Sequence, residues 1–344
     1  MDGLQALGLS APVIQAPMAG VQGVELAAAV SNSGGLGSLP CAMLSGEALE
    51  QALIKLRSLT SKPVNLNFFC HKEKAESAER YAQWLNLLSP FFSEYGIDPA
   101  TLPAGAQRQP FSQVIADLVE PHQPQVVSFH FGLPAAGLLD RVKRWGAMVL
   151  SSATTLDEAL WLEQHGANAV IAQGLEAGGH RGHFLRADLK GQLKTAELVE
   201  RCVKHLSIPV IAAGGIARPD DLVVMKQAGA AGVQLGSAYL LAAEATTGQL
   251  HRQVLQSERR AVTAITNLYT GRPARGIVTR LMESLGPMNN SAPAFPLAAN
   301  AISALRAQAE QRADSSFTPL WCGENACPAS DSAQAITQRF MAAW

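Results

Sequence analysis

The chain has 344 residues, 48% of them hydrophobic, and a formal net charge of −1. That length suits one large α/β domain with a smaller appended part, and the balanced, dispersed charge excludes nucleic acid as the main partner, since phosphate backbones need a basic face. No uninterrupted apolar run reaches the roughly 18 residues of a membrane span, and "MDGLQALGLSAP" has neither the basic start nor the apolar core of a secretory signal.

In chain order, short β-branched runs recur at 13–18 (VIQAPM), 35–40 (GLGSLP), 64–69 (VNLNFF), 126–131 (VVSFHF), 147–153 (AMVLSSA), 169–174 (AVIAQG), 209–215 (PVIAAGG) and 232–237 (GVQLGS). These eight runs are apolar on both faces, as strands of a parallel sheet covered by helices are. Amphipathic segments lie between them. The one at 24–34 stops at glycine, the one at 154–167 opens on threonine with an acidic first turn, and the one at 218–232 repeats the design. Eight strand–helix alternations predict an α/β fold of the (β/α)8 TIM-barrel type.

Two regions break the rhythm. Residues 70–125 hold a helical, aromatic-bearing stretch at 75–92 and a proline-bearing one at 99–111; beyond 245 the chain reads as mostly helical, with breaks at 271–276 and 286–297. The expected organisation is a barrel from 1–70 and 126–245, with 71–125 and 246–344 as a smaller, mainly helical substrate-side part over one end. The five cysteines (Cys41, Cys70, Cys202, Cys322 and Cys327) are odd in number and scattered. They read as buried thiols of a reducing, cytoplasmic compartment.

Barrels of this type place their sites at the carboxy ends of the strands, with phosphates on the loops after the seventh and eighth. The seventh run ends in Gly214-Gly215, and the eighth in Gln234-Leu235-Gly236-Ser237 before "AYLLAAEA". Glycine lets main chain approach an anion, a helix start offers free N–H groups, and Ser237 adds a hydroxyl. The pattern reads as a phosphate cup; tight turns that need glycine for their own geometry are the alternative. Ala16-Pro17-Met18 closes the first strand, Asn65 and Asn67 lie on the third, His130 on the fourth and Gln173 on the sixth. Such amides both donate and accept, as a flat ring bearing carbonyl and N–H groups requires. The incomplete "GGLGSLP" and the absence of GxxxxGK[ST] exclude other nucleotide motifs.

After the sixth run comes "EAGGHRG" (176–182). Gly178 and Gly179 would let a loop turn sharply beside a ligand and leave His180 free to take a proton near neutral pH. A histidine packed on its neighbours is the plainer reading. His183 lies close by, but two histidines without a carboxylate make a poor metal site, and none is expected. Arg181 reads as solvated or as a support.

The blocks "APMAGVQGVELAAAVSNSGGLGSLP", "VNLNFFCH", "VVSFHFG", "SSATTLDEALWLEQHGANAVIAQGLEAGGHRG", "PVIAAGGIA", "GAAGVQLGSAYLL" and "TGRPARGI", in order over about residues 10–285, resemble the nitronate monooxygenases, formerly 2-nitropropane dioxygenases, in their class I form. The resemblance implies an FMN-dependent TIM-barrel oxidoreductase that oxidises alkyl nitronates, and nitroalkanes as a further class, with O2 to a carbonyl compound and nitrite. It carries FMN contacts to Asn67, Gln173, Gly178, Gly215 and the segment from Gln234 to Ser237. His180 becomes the base and His130 a substrate-side residue. The same motifs leave open an FMN-dependent NAD(P)H oxidoreductase acting on a quinone or an enoyl thioester. A barrel that binds a phosphorylated metabolite without redox chemistry is the reading from another class. The segment 293–305 departs from the class I pattern, with Phe295, Ala299 and Ser303 where pocket tyrosines and a lysine are expected. That puts the substrate in question. The "LWCGENAC" segment with Cys322 and Cys327 has no assigned role, and the oligomeric state is open.

Overall fold

A computed structural model describes residues 9, 11–72, 77–102 and 108–344. Most of the N-terminal segment read for a signal, the first two residues of the 75–92 stretch and the middle of 99–111 lie outside these residues. The strands are β1 (Val13–Gln15), β2 (Gly37–Pro40), β3 (Val64–Phe69), β4 (Val126–His130), β5 (Met148–Ala153), β6 (Ala169–Gln173), the short β7 (Gly179–His180), β8 (Val210–Ala213) and β9 (Gly232–Leu235), followed by β10 (Thr263–Thr266) and β11 (Ala274–Ile277). All eight expected runs contain a strand. These eight pair in parallel in the order β1-β9-β8-β6-β5-β4-β3-β2. A parallel bridge from Ile14 to Leu36 joins the two ends and closes the sheet into the expected barrel.

The helices α1 (Val24–Asn32), α2 (Gly46–Leu59), α3 (Ala78–Tyr95), α4 (Gln113–Val119), α5 (Ala136–Arg144) and α6 (Leu156–Gln164) accompany the first half of the chain. The second half has α7 (Thr195–His205), α8 (Asp221–Gln227), α9 (Gln249–Gln256), α10 (Arg280–Leu285), α11 (Ala298–Gln311) and α12 (Ala333–Ala343). Side chains alternate across each strand. Ile14, Leu36, Val126, Leu150, Ile171 and Ile211 pack together in one cluster. Their neighbours Val13, Val170, Ala172 and Val233 instead pack with helix residues such as Leu26, Leu162 and Leu198. This alternation decides which side chains at each strand end can reach a ligand.

One helix start is tied to the site's surroundings. The Thr155 hydroxyl caps α6 by accepting the Glu158 N–H. The buried Glu158 carboxylate accepts four donors: Thr154 N–H (2.8 Å), Thr154 Oγ1–H (2.7 Å), Phe184 N–H (2.6 Å) and Leu185 N–H (3.2 Å). It thereby ties the β5–α6 corner to the chain that follows His180.

The insertion and the C-terminal region share a core of their own. Trp84, Phe91, Phe92 and Tyr95 of α3 pack against Leu268, Tyr269, Met282, Ile302, Leu305 and Phe317. Two helices inside the expected substrate-side ranges lie elsewhere. The Ala116 and Val119 side chains of α4 join Leu49, Leu53 and Val64 on the barrel wall. Ala333, Ile336 and Phe340 of α12 pack with Leu26, Val30 and Val13. Nor is the C-terminal region only helical. Strands β10, β11 and β7 form a three-stranded antiparallel sheet, with Ala274 opposite His180 and Arg275 opposite Gly179. Among the described residues no helix is long and apolar enough to cross a membrane.

Candidate active site

The carboxy ends of the barrel strands open into a cavity of about 590 Å³. Ala16, Pro17 and Met18 line it after β1, Asn67 on β3, His130 on β4 and Gln173 at the end of β6. Gly178, Gly179 and His180 line it after β6, Gly214 and Gly215 after β8, and Gln234, Gly236 and Ser237 at the end of β9. Leu235 is the exception. It is 1% exposed and packs in the core between sheet and helices, because alternation turns it away from the side of Gln234. Its carbonyl accepts the Ala16 N–H at 2.8 Å, which joins the two strand ends. Asn65, two residues before Asn67, donates to Ser38 Oγ at 2.9 Å and does not line the cavity.

His180 sits on strand β7, held by β11, and not on a free loop. Gly179, at φ +73°, takes the left-handed turn that brings the chain into that pairing. Gly178 serves close packing: a Cβ there would lie 2.5 Å from both the Cys322 carbonyl carbon and the Gly323 nitrogen. The His180 ring donates to or accepts from Thr270 Oγ1 through Nε2 at 2.9 Å. It packs near Phe295 and Trp321, with ring centroids 5.6 Å away in each case. Burial pushes its pKa well below the usual histidine value, and Arg108, His130 and Arg272 add charge repulsion. The ring is therefore neutral through the physiological range.

His130 and Gln173 are committed to holding His180. His130 has Nε2 3.2 Å from the His180 carbonyl oxygen and Nδ1 3.0 Å from Ser152 Oγ. Its pKa is lowered to about 3, mainly by burial and then by Arg272. With both ring nitrogens engaged it buttresses the His180 main chain. Gln173 Nε2 donates to the same carbonyl at 2.9 Å, and its Oε1 accepts the Gly182 N–H at 2.8 Å. Arg181, the neighbour read as solvated or as a support, is fully buried. It donates to Gln192 Oε1 (2.9 Å), Gly174 O (2.6 Å) and Gln173 O (2.8 Å), so it supports the strand end and is not solvated.

At the expected phosphate cup the main chain differs from the expectation in one respect. The segment after β9 is a single 3-10 turn, Ser237–Tyr239, and the next α-helix begins only at Gln249. Residues 238–242 are buried. An apolar run with no polar face has no surface helix to form, and it is packed inward instead. Ser237 Oγ accepts the Gly323 N–H at 2.8 Å, and Asn325 Nδ2 donates to Gly215 O at 2.9 Å. The "LWCGENAC" segment therefore packs against the strand ends at Ser237 and Gly215. Cys322 is buried beside Ser237, with its thiol pKa pushed up to about 11 by burial. Gln234 Oε1 is buried without a hydrogen-bond partner among the described residues.

The wall around His180 is aromatic and cationic. Phe69, Phe131 and Phe295 cluster, with Arg108 over the Phe295 ring at 5.3 Å and Arg272 over Phe131 at 3.8 Å. Burial lowers the pKa of both arginines, to about 10 for Arg272. Of the three departures from the class I pattern, Phe295 reaches His180, whereas Ser303 is exposed on α11 and Ala299 does not line the cavity. Among the described residues no cluster of three or more potential metal ligands occurs.

Comparison with known proteins bears on this arrangement directly. The family model described as nitronate monooxygenase matches residues 4–338. The chain belongs to the nitronate monooxygenase family. It is 38% identical to a nitronate monooxygenase of Pseudomonas aeruginosa, over 94% of this chain and 93% of that protein. The crystal structure of a nitroalkane oxidase from Streptomyces ansochromogenes superposes with a TM-score of 0.88 at 33% identity, covering 96% of this chain and 95% of that one. A structure of FabK from Thermotoga maritima, at 22% identity and a TM-score of 0.74 over 100% of this chain and 96% of that one, shares the fold. Like the rest of the nitronate monooxygenase family, the chain is an oxidoreductase, and the activity that goes with the family is oxidation of nitronates.

Sequence reasoning missed several cavity residues: Arg108, Ser128, Ser152, Trp321, Gly323 and Asn325 line it, and Thr270 bonds to His180. For Thr270 a signal existed, since "TGRPARG" is a turn-rich break in a helical region. For the others, nothing in a local pattern brings distant segments to one rim.

Proposed function

We propose that the cavity holds FMN, and that the barrel formed by 1–70 and 126–245 is the cofactor-binding part while 71–125 and 246–344 supply the substrate side, α4 and α12 excepted. The residues present fit such a group. The volume lies within the range of roughly 300–1,000 Å³ typical of ligand sites. Gln234 Oε1 is a buried acceptor awaiting a donor, as a flavin ring N–H would be. At Gly236 a Cβ would meet only Ala16 Cβ at 3.7 Å and Met18 Sδ at 4.0 Å. The protein's own packing therefore does not demand glycine there, and the open space suits a phosphate beside the main-chain N–H groups of residues 236–237 and the Ser237 hydroxyl. When bound there, FMN would supply the redox chemistry between the nitronate and O2. Over a full turnover two nitronates and one O2 give two carbonyl compounds and two nitrite ions, which balances in atoms and charge.

The chain's own residues bind, orient and move a proton. A neutral nitroalkane loses its α-proton to the neutral His180 imidazole, and the electron pair left on carbon delocalises into the nitro group as the nitronate. An ionised nitronate needs no such step. Arg108 and Arg272, both half-buried, place positive charge near the anion. Phe69 and Trp321, lining the cavity, exclude water from it. The observation that carries this reading is the His180 imidazole lining the same cavity as the glycine- and hydroxyl-bearing strand ends at Gly215, Gly236 and Ser237. Steady-state turnover of His180→Asn on nitroethane and ethylnitronate tests it. The loss should be far greater on nitroethane; equal losses on both would refute the base role.

A further inference from the structure

Thr270 lies on the β10–β11 turn, 4% exposed, and its hydroxyl has three polar neighbours. His180 Nε2 is 2.9 Å away, and the Arg272 carbonyl oxygen and Arg272 nitrogen are each 3.4 Å away. A hydroxyl has one hydrogen to give and two lone pairs. The Arg272 N–H can only donate and the Arg272 carbonyl can only accept. One arrangement satisfies all three contacts: the hydroxyl hydrogen goes to the carbonyl and one lone pair takes the Arg272 N–H. What remains for His180 at 2.9 Å is a lone pair, so in that arrangement Nε2 carries the imidazole hydrogen. A neutral imidazole has one N–H, which leaves Nδ1 unprotonated, and Nδ1 has no hydrogen-bond partner among the described residues.

The turn is held in place independently of His180. Gly271 N–H donates to Asn267 O at 2.8 Å, and a Cβ on Gly271 would lie 2.0 Å from Pro293 O, so the turn is seated against the 293–295 segment. On the other side of His180, the His130 and Gln173 contacts to its carbonyl hold the backbone, and Phe295 and Trp321 pack beside the ring, but among the described residues only Thr270 makes a hydrogen bond to a ring nitrogen.

We propose that Thr270 is a positioning residue that selects the Nε2–H tautomer of His180 and so makes Nδ1 the nitrogen that takes the substrate proton. The assignment of Nδ1 as proton acceptor rests on the base role proposed above; the tautomer itself does not.

The test uses holoenzyme labelled with 15N-histidine and long-range 1H–15N correlation spectra at neutral pH, the His180 signals being those lost in His180→Asn. Wild type and Thr270→Ser should show protonated Nε2 and unprotonated Nδ1. Thr270→Val should show a mixture or the other tautomer. In parallel, kcat/KM for nitroethane should fall roughly tenfold in Thr270→Val, the scale of one lost hydrogen bond, with ethylnitronate little affected and Thr270→Ser restoring most of the loss. A wild-type spectrum with Nδ1–H overturns the proposal even if the valine variant does not fold, and so does an unchanged tautomer in a folded Thr270→Val. If the spectra hold while His180→Asn costs both substrates equally, the base role fails and the tautomer assignment stands.

Discussion

Replacing Gly236 by alanine separates a glycine needed by a ligand from one needed by the fold. Its φ of −104° is open to any L-residue, and the added methyl would make only ordinary contacts, 3.7 Å to Ala16 Cβ and 4.0 Å to Met18 Sδ. Folded stability should change by no more than about 0.5 kcal/mol. With a phosphate seated against Gly236, the methyl intrudes on occupied space. Overpacking of that kind costs about 1–3 kcal/mol, which weakens FMN binding by roughly 5- to 150-fold. Thermal melts of the apoprotein give the first quantity, and quenching of FMN fluorescence on titration gives the second. Gly178→Ala is the contrasting case, since its Cβ would lie 2.5 Å from the Cys322 and Gly323 main chain, and its melting temperature should drop. A folded Gly236→Ala protein that binds FMN as tightly as wild type would refute the placement of the cup.

The buried histidines make stability pH-dependent. Burial lowers His130 to about 3 and His183 and His251 to about 4, against about 6.5 in an unfolded chain. Below that value the unfolded state binds more protons than the folded one. Stability is thus fully present above pH ~6.5 and is lost as pH falls toward 4, at about 1.4 kcal/mol per pH unit for each such histidine; urea unfolding at pH 7.5, 6 and 5 measures it, and a flat profile would contradict the burial. Glu158→Gln replaces an acceptor of four donors by a group that is half donor, and should cost about 1–3 kcal/mol of stability by thermal denaturation. His130→Leu removes a support and not a base, so it should slow nitroethane and ethylnitronate turnover by similar factors, unlike His180→Asn.

The barrel was legible because its strands are buried on both faces and read as unbroken apolar runs; the third, 64–69, has the predicted bounds. Most of the cavity lining was legible for the same reason, since strand ends in this fold meet at one rim whatever the loops do. Leu235 fell outside because residues 234–237 were read as a block, whereas the strand's alternation separates Gln234 from its neighbour. Local patterns failed where pairing is long-range. Strand β7 is two residues long and owes its existence to β11, so "EAGGHRG" reads as a loop until "TGRPARGI" is beside it. The apolar run after Ser237 reads as a helix, but burial packs it as an irregular chain. Likewise, nothing local in 113–119 or 333–343 reveals that α4 and α12 cover the barrel wall.

Every role proposed for His180 requires FMN in the carboxy-end cavity with the imidazole beside its ring. A crystal structure of the protein with FMN tests it most directly. Flavin density should fill the cavity, with the phosphate at Gly215, Gly236 and Ser237 and the ring flanked by Asn67 and His180. Flavin bound elsewhere, or a cavity that stays empty at saturating FMN, would contradict it.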